Sequence, residues 1–185
     1  MSKLYVIRHC AARGQAPEAP LTAQGTQQAE WLTEFFSTQN VDHIISSPFE
    51  RAIQSITPFS QVTGIPIVKD ERLKERVLSN ENLEDWLEKL KVTFEDMELR
   101  YNGGESSKDA MNRIIGLFAE IIKSDMKTSI IVTHGNLLSL ALKYYDSSFG
   151  FEDWKKLSNP DIYLLQFDGD QVIIKHLLGD LELKY

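Results

Sequence analysis

Short apolar runs and amphipathic stretches alternate along most of this chain. Each apolar run is long enough for a strand and too short for a helix. Between the runs, apolar residues recur at helical spacing, with Thr22 as a predicted N-cap and Gly64 as a predicted stop. The predicted strands lie at 3–8, 43–46, 65–68 and in the segment SIIVTHG. Strands that alternate with helices predict an α/β fold, here a three-layer α/β/α sandwich with a mostly parallel central sheet.

The second half of the chain carries two further local signals. Ser106 and Asp109 have the spacing of a capping box, which predicts the start of an amphipathic helix. The predicted buried face of this helix consists of Ala110, Ile114, Leu117, Phe118 and Ile121. Farther on, the apolar segments 163–167 and 172–176 flank Asp168-Gly169, which predicts an antiparallel hairpin.

The length predicts a single domain. A chain of 185 residues is expected to fold as one unit, 1–185, with a substantial core. Residues 70–104 differ from the rest because they are rich in charge and hold one amphipathic stretch. That stretch is marked by Leu83, Trp86, Leu87 and Leu90. We predict that this segment is a cap or insertion on the domain rather than a second domain.

Composition and charge exclude several classes of function. The formal charge is −7, and acidic and basic residues are mixed along the chain, which disfavours a nucleic-acid-binding surface. No apolar run approaches the roughly 18 residues of a membrane span, and the apolar stretch in MSKLYVIRH is too short for a secretory signal. The single cysteine, Cys10, excludes an internal disulfide framework. We therefore expect a cytoplasmic protein without nucleic-acid or membrane partners.

Basic residues follow three of the predicted strands. The first strand ends at Arg8-His9, and the segment SIIVTHG ends at His134-Gly135 before a helix. The second strand is followed by SSPFERA, which places Arg51 in the first turn of a helix. In parallel sheets, ligands bind outside the carboxyl ends of the strands, where helix N-termini add backbone N–H donors. These residues therefore predict a site for a dianion, with phosphate as the obvious candidate.

Other polar residues have simpler structural interpretations. No GxSxG elbow surrounds Ser106, so it is expected to be a helix cap rather than a nucleophile. Cys10 is expected to be a small, semi-buried residue. The remaining candidates, expected to be structural or solvated, are His43, His176, Arg13, Arg72 and Arg100.

Six short motifs match those of a known family, in the family's order. They are IRHC at 7–10, LTAQG at 21–25, SSPFERAIQS at 46–55, LKE at 73–75, GES at 104–106 and THGN at 133–136. By these motifs, which span most of residues 4–140, the chain resembles the phosphoglycerate-mutase-like branch of the histidine phosphatase superfamily. The resemblance implies a phosphoglycerate-mutase-like fold and phosphoryl transfer through a phosphohistidine.

The resemblance also implies which residues perform the reaction. His9 corresponds to the nucleophile that accepts the phosphoryl group, and a neutral imidazole suits that role near neutral pH. Arg8, Arg51 and His134 correspond to the residues that bind the phosphate oxygens. Because arginines supply the positive charge, the resemblance implies a metal-independent enzyme without a cofactor, acting on a small phosphorylated metabolite.

The leaving oxygen needs a proton, because an alkoxide leaves poorly. The motif LKE places Glu75 where the family has its general acid, and Glu71 and Glu105 are rivals in the same part of the chain. Gly135 and Asn136 correspond to a helix start near the phosphate, where they are expected to help bind the substrate.

The chain departs from the family pattern after the nucleophile. Cys10 replaces a glycine, Ala11 and Ala12 replace an acidic residue and a threonine, and Gln15 replaces a frequent substrate-binding asparagine. The aromatic-glycine signature that follows the acid in mutases is also missing, since the chain reads ERVLSN there. These differences favour a phosphatase over a phosphoglycerate-type mutase.

Two alternatives to a phosphatase stay open from the sequence. One is the phosphoglycerate-type phosphomutase, which shares the phosphohistidine step, and the other is a non-catalytic protein that binds a phosphorylated ligand on the same fold. A binuclear metallophosphatase fits poorly, because arginines at the strand ends would repel a metal and carboxylate ligands are lacking. The cap at 70–104 and the segment near Phe149, Phe151 and Trp154 are expected to shape the pocket for the leaving group.

Overall fold

The computed structural model describes residues 1–169 and 171–178, which form six strands, six α-helices and one 3₁₀ turn. The elements are β1 (Ser2–Arg8), α1 (Ala23–Phe36), β2 (His43–Ser46), α2 (Glu50–Thr63), β3 (Ile67–Lys69), the 3₁₀ turn (Glu71–Leu73), α3 (Trp86–Glu95), α4 (Ser107–Lys123), β4 (Thr128–Thr133), α5 (Gly135–Tyr145), α6 (Phe151–Lys156), β5 (Asp161–Asp168) and β6 (Gln171–His176). No helix among these residues is long and apolar enough to cross a membrane.

The strands form one sheet in the order β3-β2-β4-β1-β5-β6. The first four strands in this order are parallel to one another, whereas β5 is antiparallel to both β1 and β6. In the register, Arg8 lies opposite Thr133, and Ser46 lies opposite Val132. The carboxyl ends of β1, β2 and β4 therefore lie at one edge of the sheet, as the sequence predicts. The antiparallel hairpin around Asp168-Gly169 is also confirmed.

Two hydrophobic cores cover the two faces of the sheet. Alternate residues of β1 point to opposite faces, so Leu4 and Val6 belong to the core with α4 and α5. Tyr5 and Ile7 belong to the other core, with α1 and α2. Helices on both faces of a mostly parallel sheet confirm the predicted three-layer sandwich.

The predicted helix boundaries are set by the expected local contacts. The hydroxyl of Thr22 accepts from the N–H of Gly25 at the start of α1, and Ser106 and Asp109 form both halves of a capping box at α4. Gly64 ends α2 in the left-handed conformation, with φ of 74°. All five apolar residues predicted for the inner face of α4 are buried.

The strand predicted at 65–68 begins later, at Ile67. The hydroxyl of Ser60 in α2 donates to the carbonyl of Ile65 at 2.6 Å, so the carbonyl of this residue is bonded to the preceding helix. Pairing with β2 starts only where Ile67 lies opposite Ile44. A local contact with the end of α2 thus engages the first residue of the predicted strand.

The segment 70–104 contains α3 and long connections. The predicted apolar stripe is correct only in part: Leu90 is buried, whereas Trp86 and Leu87 are 49% and 39% exposed. Phe94, one turn beyond Leu90, is buried instead. The helix starts at Trp86, so Leu83 precedes it. The helix packs against α6, and the side of it that is buried consists of Leu90, Thr93 and Phe94.

Candidate active site

His9 lies at the end of β1 with its ring fixed at both nitrogens. Nδ1 lies 2.7 Å from the carbonyl oxygen of Cys10, and only a protonated nitrogen makes that contact favourable. Nε2 then carries the lone pair, and it accepts from Nε of Arg51 at 3.2 Å. Burial, and after it the charges of Arg51 and Arg8, lower the pKa of His9 to about 3, although the contact with Cys10 opposes them. The ring is therefore neutral at neutral pH, with its free electron pair on Nε2.

The backbone around His9 is held by two side chains from other segments. The amide of Asn159 donates to the carbonyl of His9 at 2.7 Å, and the hydroxyl of Ser55 accepts from the N–H of Cys10 at 2.8 Å. The side chain of Cys10 is fully buried, and burial raises the pKa of its thiol to about 12. Cys10 is therefore a packed thiol that stays protonated near neutral pH, more deeply buried than the sequence predicts.

Arg51 lies in the first turn of α2 and is only 1% exposed. Its Nη1 donates to the carbonyls of Gln15 and Ala16 at 3.1 and 2.8 Å, so the guanidinium fixes the loop after β1. The guanidinium carbon also lies 5.0 Å from the ring centre of Phe49. Burial lowers the pKa of Arg51, an effect opposed by the charge of Glu75.

His134 ends β4 and lies beside His9, with 5.1 Å between the ring centres. Its Nε2 lies 2.8 Å from the hydroxyl of Ser47, and its Nδ1 is buried without a partner among the described residues. Burial, followed by the nearby His9 and Arg51, lowers the pKa of His134 well below its usual value. The site thus holds two neutral imidazoles side by side.

Arg8 precedes the nucleophile candidate and is anchored from one side only. Its Nη1 donates to the carbonyl of Leu157 at 2.8 Å, whereas its buried Nε has no partner in the described part of the chain. The guanidinium packs against Gly135, where an added Cβ would lie 3.0 Å from Nε of Arg8. A side chain at this position would require the guanidinium of Arg8 to shift by a few tenths of an ångström, so the short motif HG places Arg8 close against the start of α5.

Glu75 closes the N-terminal end of α5. Its two carboxylate oxygens accept from the N–H groups of Asn136 and Leu137 at 3.1 and 3.0 Å, and one also accepts from the N–H of Arg76. A carboxylate at a helix N-terminus also meets the positive end of the helix dipole. Glu75 therefore lies at the start of α5, bonded to Asn136, which is 61 residues farther along the chain.

The two rivals of Glu75 have other partners. Glu71 is mostly exposed and forms an ion pair with Lys74. Both oxygens of Glu105 accept from the guanidinium of Arg113, at 2.7 and 3.0 Å. Of the three carboxylates, only Glu75 lines the cavity beside the strand ends.

A cavity of about 320 Å³ opens beside these groups. One part of its wall is polar and consists of Arg8, Gln15, Glu75, Arg76, Gly135 and Asn136. The other part is apolar and consists of Leu78, Trp86, Leu90 and Trp154. Asn136 is buried, and neither polar atom of its side chain has a partner among the described residues. The arrangement offers a cationic end for an anion and an apolar end for the group attached to it.

The structure brings together the residues singled out from the sequence and separates the others. His9, Arg8, Arg51, His134, Glu75, Gly135 and Asn136 surround the strand ends, and Gln15 joins them at the cavity wall. His176 instead pairs with Asp161, Arg72 with Asp70, and Arg100 with Asp109. Arg13 is exposed, and Ser106 caps α4 as expected. Phe151 packs on Trp154, which reaches the cavity.

Sequence reasoning missed three residues that complete the site: Ser47, Asn159 and Arg76. Ser47 and Asn159 hold His134 and His9 through single hydrogen bonds, and no spacing rule marks them. Arg76 could have been noticed because it directly follows the candidate acid. In the described residues, His, Cys, Asp and Glu side chains form no group of three or more that could hold a metal ion.

The comparison with protein families agrees with this geometry. The model of the histidine phosphatase superfamily (branch 1) matches residues 4–178, so the chain belongs to that superfamily. Phosphoserine phosphatase 1 of Hydrogenobacter thermophilus is 27% identical over 150 residues, covering 72% of this chain and 71% of that protein. A probable phosphoglycerate mutase GpmB of Enterobacter is 29% identical over 153 residues, covering 73% of this chain and 70% of that protein.

Solved structures share the fold over nearly the whole chain. Bacillus stearothermophilus YhfR superimposes with a TM-score of 0.79 at 21% identity, covering 98% of both chains. A mycobacterial glucosyl-3-phosphoglycerate phosphatase in complex with inorganic phosphate superimposes with a TM-score of 0.75 at 20% identity, covering 95% of both chains. The α-ribazole phosphatase of Shigella flexneri gives 0.75 at 18% identity, again covering 95% of both. At these identities the likeness establishes the fold.

Proposed function

We propose that this protein is a phosphatase that hydrolyses a small phosphorylated metabolite through a phosphohistidine on His9. The observation that carries the proposal is the state of His9 Nε2, an electron pair on a neutral, buried ring that faces Arg51. Such a nitrogen is a competent nucleophile, and the cations beside it attract the phosphate that it would attack. Membership of the histidine phosphatase superfamily supports the same reaction.

In the first step, the electron pair of Nε2 forms a bond to phosphorus while the bond from phosphorus to the alcohol oxygen breaks. Arg51 donates to Nε2 in the structure, so its donors must turn to the phosphate oxygens when substrate binds. Arg8 would offer its guanidinium to another oxygen, and His134 lies beside His9, with 5.1 Å between the ring centres. Once they face the phosphate, these groups stabilise the charge that develops in the transition state.

Glu75 would give its proton to the leaving oxygen, which departs as an alcohol. In the second step, a water molecule loses a proton to Glu75 and attacks phosphorus, and inorganic phosphate leaves as the bond to Nε2 breaks. Both oxygens of Glu75 accept backbone N–H groups, so the acid role requires one of them to face the cavity with its proton. The position of Glu75 in the cavity wall supports this assignment over Glu71 and Glu105.

The leaving alcohol would occupy the apolar part of the cavity. Residues 70–104 act as a cap on a single domain in this proposal, because they supply Trp86 and Leu90 to the wall. Trp154 of α6 lies across from them, with 6.4 Å between the ring centres of the two tryptophans. Asn136 and Gln15 would bind polar groups of the substrate. This wall suits a substrate with a moderately apolar portion.

Metal independence and a cytoplasmic location are parts of the same proposal. Two arginines supply the charge that a metal ion would otherwise bring to the phosphate. The protonated, fully buried thiol of Cys10 is compatible with a reducing compartment. Activity in excess chelator would support the first part, and a requirement for an added divalent cation would refute it.

A phosphoglycerate-type mutase is the second candidate, because relatives named probable phosphoglycerate mutase GpmB match 73% of the chain. The two reactions share the phosphohistidine and differ in the acceptor, which is water or a second hydroxyl. Isomerised product without release of inorganic phosphate would favour the mutase.

The decisive experiment combines a screen of phosphorylated metabolites with trapping of the intermediate. The protein is mixed briefly with radiolabelled substrate and quenched in base, which preserves phosphohistidine. We expect an acid-labile label on His9, release of inorganic phosphate, and neither in His9→Ala. A label on another residue, or full activity of His9→Ala, would refute the assignment. Tight binding without turnover across the screen would indicate a non-catalytic binding protein.

A further inference from the structure

Asp161 is a buried carboxylate beside the strand ends that the proposed phosphoryl transfer does not use. It is 1% exposed and begins β5, where the register of the sheet places it opposite Arg8. A negative charge so close to a proposed phosphate site opposes the binding of an anion, and more strongly in a buried environment than in water. Its presence there therefore needs an explanation.

The carboxylate of Asp161 is held in one orientation by donors on both oxygens. Oδ2 accepts from the N–H of Ser158 at 3.0 Å, and Oδ1 accepts from the N–H of Ile162 at 3.0 Å. Oδ1 also lies 2.6 Å from Nε2 of His176, which carries the proton of this bond because an ionised carboxylate only accepts. The ring of His176 stacks on Tyr163, with 4.4 Å between the ring centres.

One peptide group, between Leu157 and Ser158, connects Asp161 to Arg8. Its N–H is the group that donates to Oδ2 of Asp161, and its carbonyl accepts from Nη1 of Arg8 at 2.8 Å. An anion and a cation are thus bonded to opposite ends of the same peptide dipole. Hydrogen bonds in such a chain polarise one another, so each bond strengthens the next.

This arrangement balances the charge of Arg8 without a direct ion pair. Burial lowers the pKa of Arg8, and the charges of Glu75 and Asp161 oppose that effect. The hydrogen bonds of the Arg8 guanidinium go to the carbonyls of Leu157 and Ser158 rather than to either carboxylate. A carboxylate bonded directly to the guanidinium would compete with phosphate for its donors. The peptide group between them avoids this competition.

We propose that Asp161 is a positioning residue of this site, which orients Arg8 for the phosphate through that peptide group. The inference rests on the proposed function, in which Arg8 binds a phosphate oxygen. The same loop carries Asn159, whose amide donates to the carbonyl of His9 at 2.7 Å. Asp161 therefore fixes the loop that holds two adjacent residues of the site, Arg8 and His9.

Asp161→Asn tests the proposal, because the side chain keeps its size and loses its charge. We expect kcat/KM for p-nitrophenyl phosphate, whose leaving group needs no acid, to fall by about 10-fold, the scale of one charge-assisted hydrogen bond. An unchanged or increased kcat/KM would overturn the inference, and an increase would show that Asp161 only opposes the anion. Asp161→Ser, which also lacks the charge, is measured in the same way and decides the matter if Asp161→Asn folds poorly.

A double-mutant cycle separates positioning from a general structural role. Asp161→Asn is compared in the wild-type background and in Arg8→Met, again with p-nitrophenyl phosphate. If Asp161 acts through Arg8, its replacement should change kcat/KM by less than about threefold once Arg8 is absent, because the two effects are coupled. An equal loss in both backgrounds would show a structural role and overturn the inference.

Asp42→Asn is the matched control. Oδ2 of Asp42 accepts from the N–H groups of Lys127 and Thr128 at 2.9 and 2.8 Å, at the opposite edge of the sheet. Its replacement also removes a carboxylate that holds backbone N–H groups, so it should lower the free energy of unfolding. Its kcat/KM should stay within about threefold of the wild type, as expected for a change far from the site. A loss as large as that of Asp161→Asn would count against the inference.

Failure of the proposed function has a different signature, which is no phosphate release by the wild type from any compound in the screen. Binding of inorganic phosphate to the four proteins of the cycle is then measured by calorimetry. Binding that is about 10-fold weaker in Asp161→Asn, with no such difference in the Arg8→Met background, sustains the inference. Equal binding by the wild type and Asp161→Asn, or no binding by the wild type, overturns it.

Discussion

Nε of Arg51 donates a hydrogen bond to Nε2 of His9 at 3.2 Å, so the electron pair of the proposed nucleophile is engaged by a cationic side chain. The same guanidinium holds the loop carbonyls of Gln15 and Ala16 through Nη1. The oxygens of a phosphate that enters the site are stronger acceptors for Arg51 than a neutral imidazole is. Arg51 is therefore expected to bond to the phosphate instead, which leaves the electron pair on Nε2 free to react. Arg51 is thus expected to protect the resting nucleophile as well as to bind phosphate.

Replacement of Arg51 by alanine should reduce kcat/KM by about 10²–10³-fold, because a fixed transition-state donor is lost. Arg13→Ala is the matched control, since Arg13 is an exposed arginine of the same loop region. Its kcat/KM should stay within about threefold of the wild type, as expected for a surface change. Steady-state kinetics with one alkyl phosphate is sufficient. Equal, mild effects at both positions would contradict the role of Arg51.

The loss of activity in Glu75→Gln should depend on the leaving group of the substrate. An alkyl phosphate leaves as a strongly basic alkoxide, whereas p-nitrophenyl phosphate leaves as a stable anion. We expect kcat/KM for the alkyl phosphate to fall by about 10²–10⁴-fold, the usual scale of general acid catalysis, and that for the aryl phosphate to fall much less.

Glu71→Gln and Glu105→Gln are the controls for this measurement. Glu71 is mostly exposed, and Glu105 pairs with Arg113, so neither change should depend on the leaving group. If Glu75→Gln slows both substrates alike, or if Glu105→Gln alone shows the dependence, Glu75 is not the acid.

The depressed pKa of His9 predicts acid sensitivity of the fold. The pKa is about 3 in the folded protein and about 6.5 in the unfolded chain, so between these values the unfolded state binds more protons. The free energy of unfolding should therefore fall as the pH falls from 6.5 towards 3. The contribution of His9 approaches about 1.4 kcal/mol per pH unit near the middle of this range.

Urea denaturation at several pH values measures this effect. His9→Gln cannot titrate, so its free energy of unfolding should fall less steeply with acid than that of the wild type. His134, whose pKa is also lowered, adds a second contribution in both proteins. Parallel curves for the wild type and His9→Gln would show that His9 is not buried in its neutral form.

Replacing two glycines by alanine should change the stability of the protein in opposite directions. A Cβ on Gly25 would lie 2.0 Å from the carbonyl oxygen of Ala11, so α1 would have to move away from the loop after β1. Gly25→Ala should destabilise the protein by about 2 kcal/mol or more. A Cβ on Gly116 meets nothing within 4 Å in α4, so Gly116→Ala should stabilise it by up to about 1 kcal/mol. Chemical denaturation of both variants measures the change in the free energy of unfolding. Changes of the same sign in the two variants would contradict the prediction.

The sheet edge could be predicted from the sequence because its signals are local. Apolar runs that end at Arg8-His9 and at His134 define strand ends, and parallel strands bring such ends together. Arg76 has no comparable signal. Its hydrogen bonds depend on Thr93 and Glu105, which lie 17 and 29 residues farther along the chain, in α3 and just before α4. The exposure of Trp86 likewise depends on which side of α3 meets α6, a relationship that helical spacing cannot express.

Trp86 and Trp154 bound the apolar end of the cavity from two separate segments, the cap and α6. Neither segment supplies the proposed nucleophile or the two phosphate-binding arginines, which come from β1, the residue after it and α2. Substitutions at the apolar positions Trp86 and Trp154 can therefore change which alcohols fit, whereas Glu75 of segment 70–104 has to be retained for the proposed chemical step. A lineage that carries this scaffold could acquire new substrates by drift at these two tryptophans, with the ancestral reaction preserved throughout.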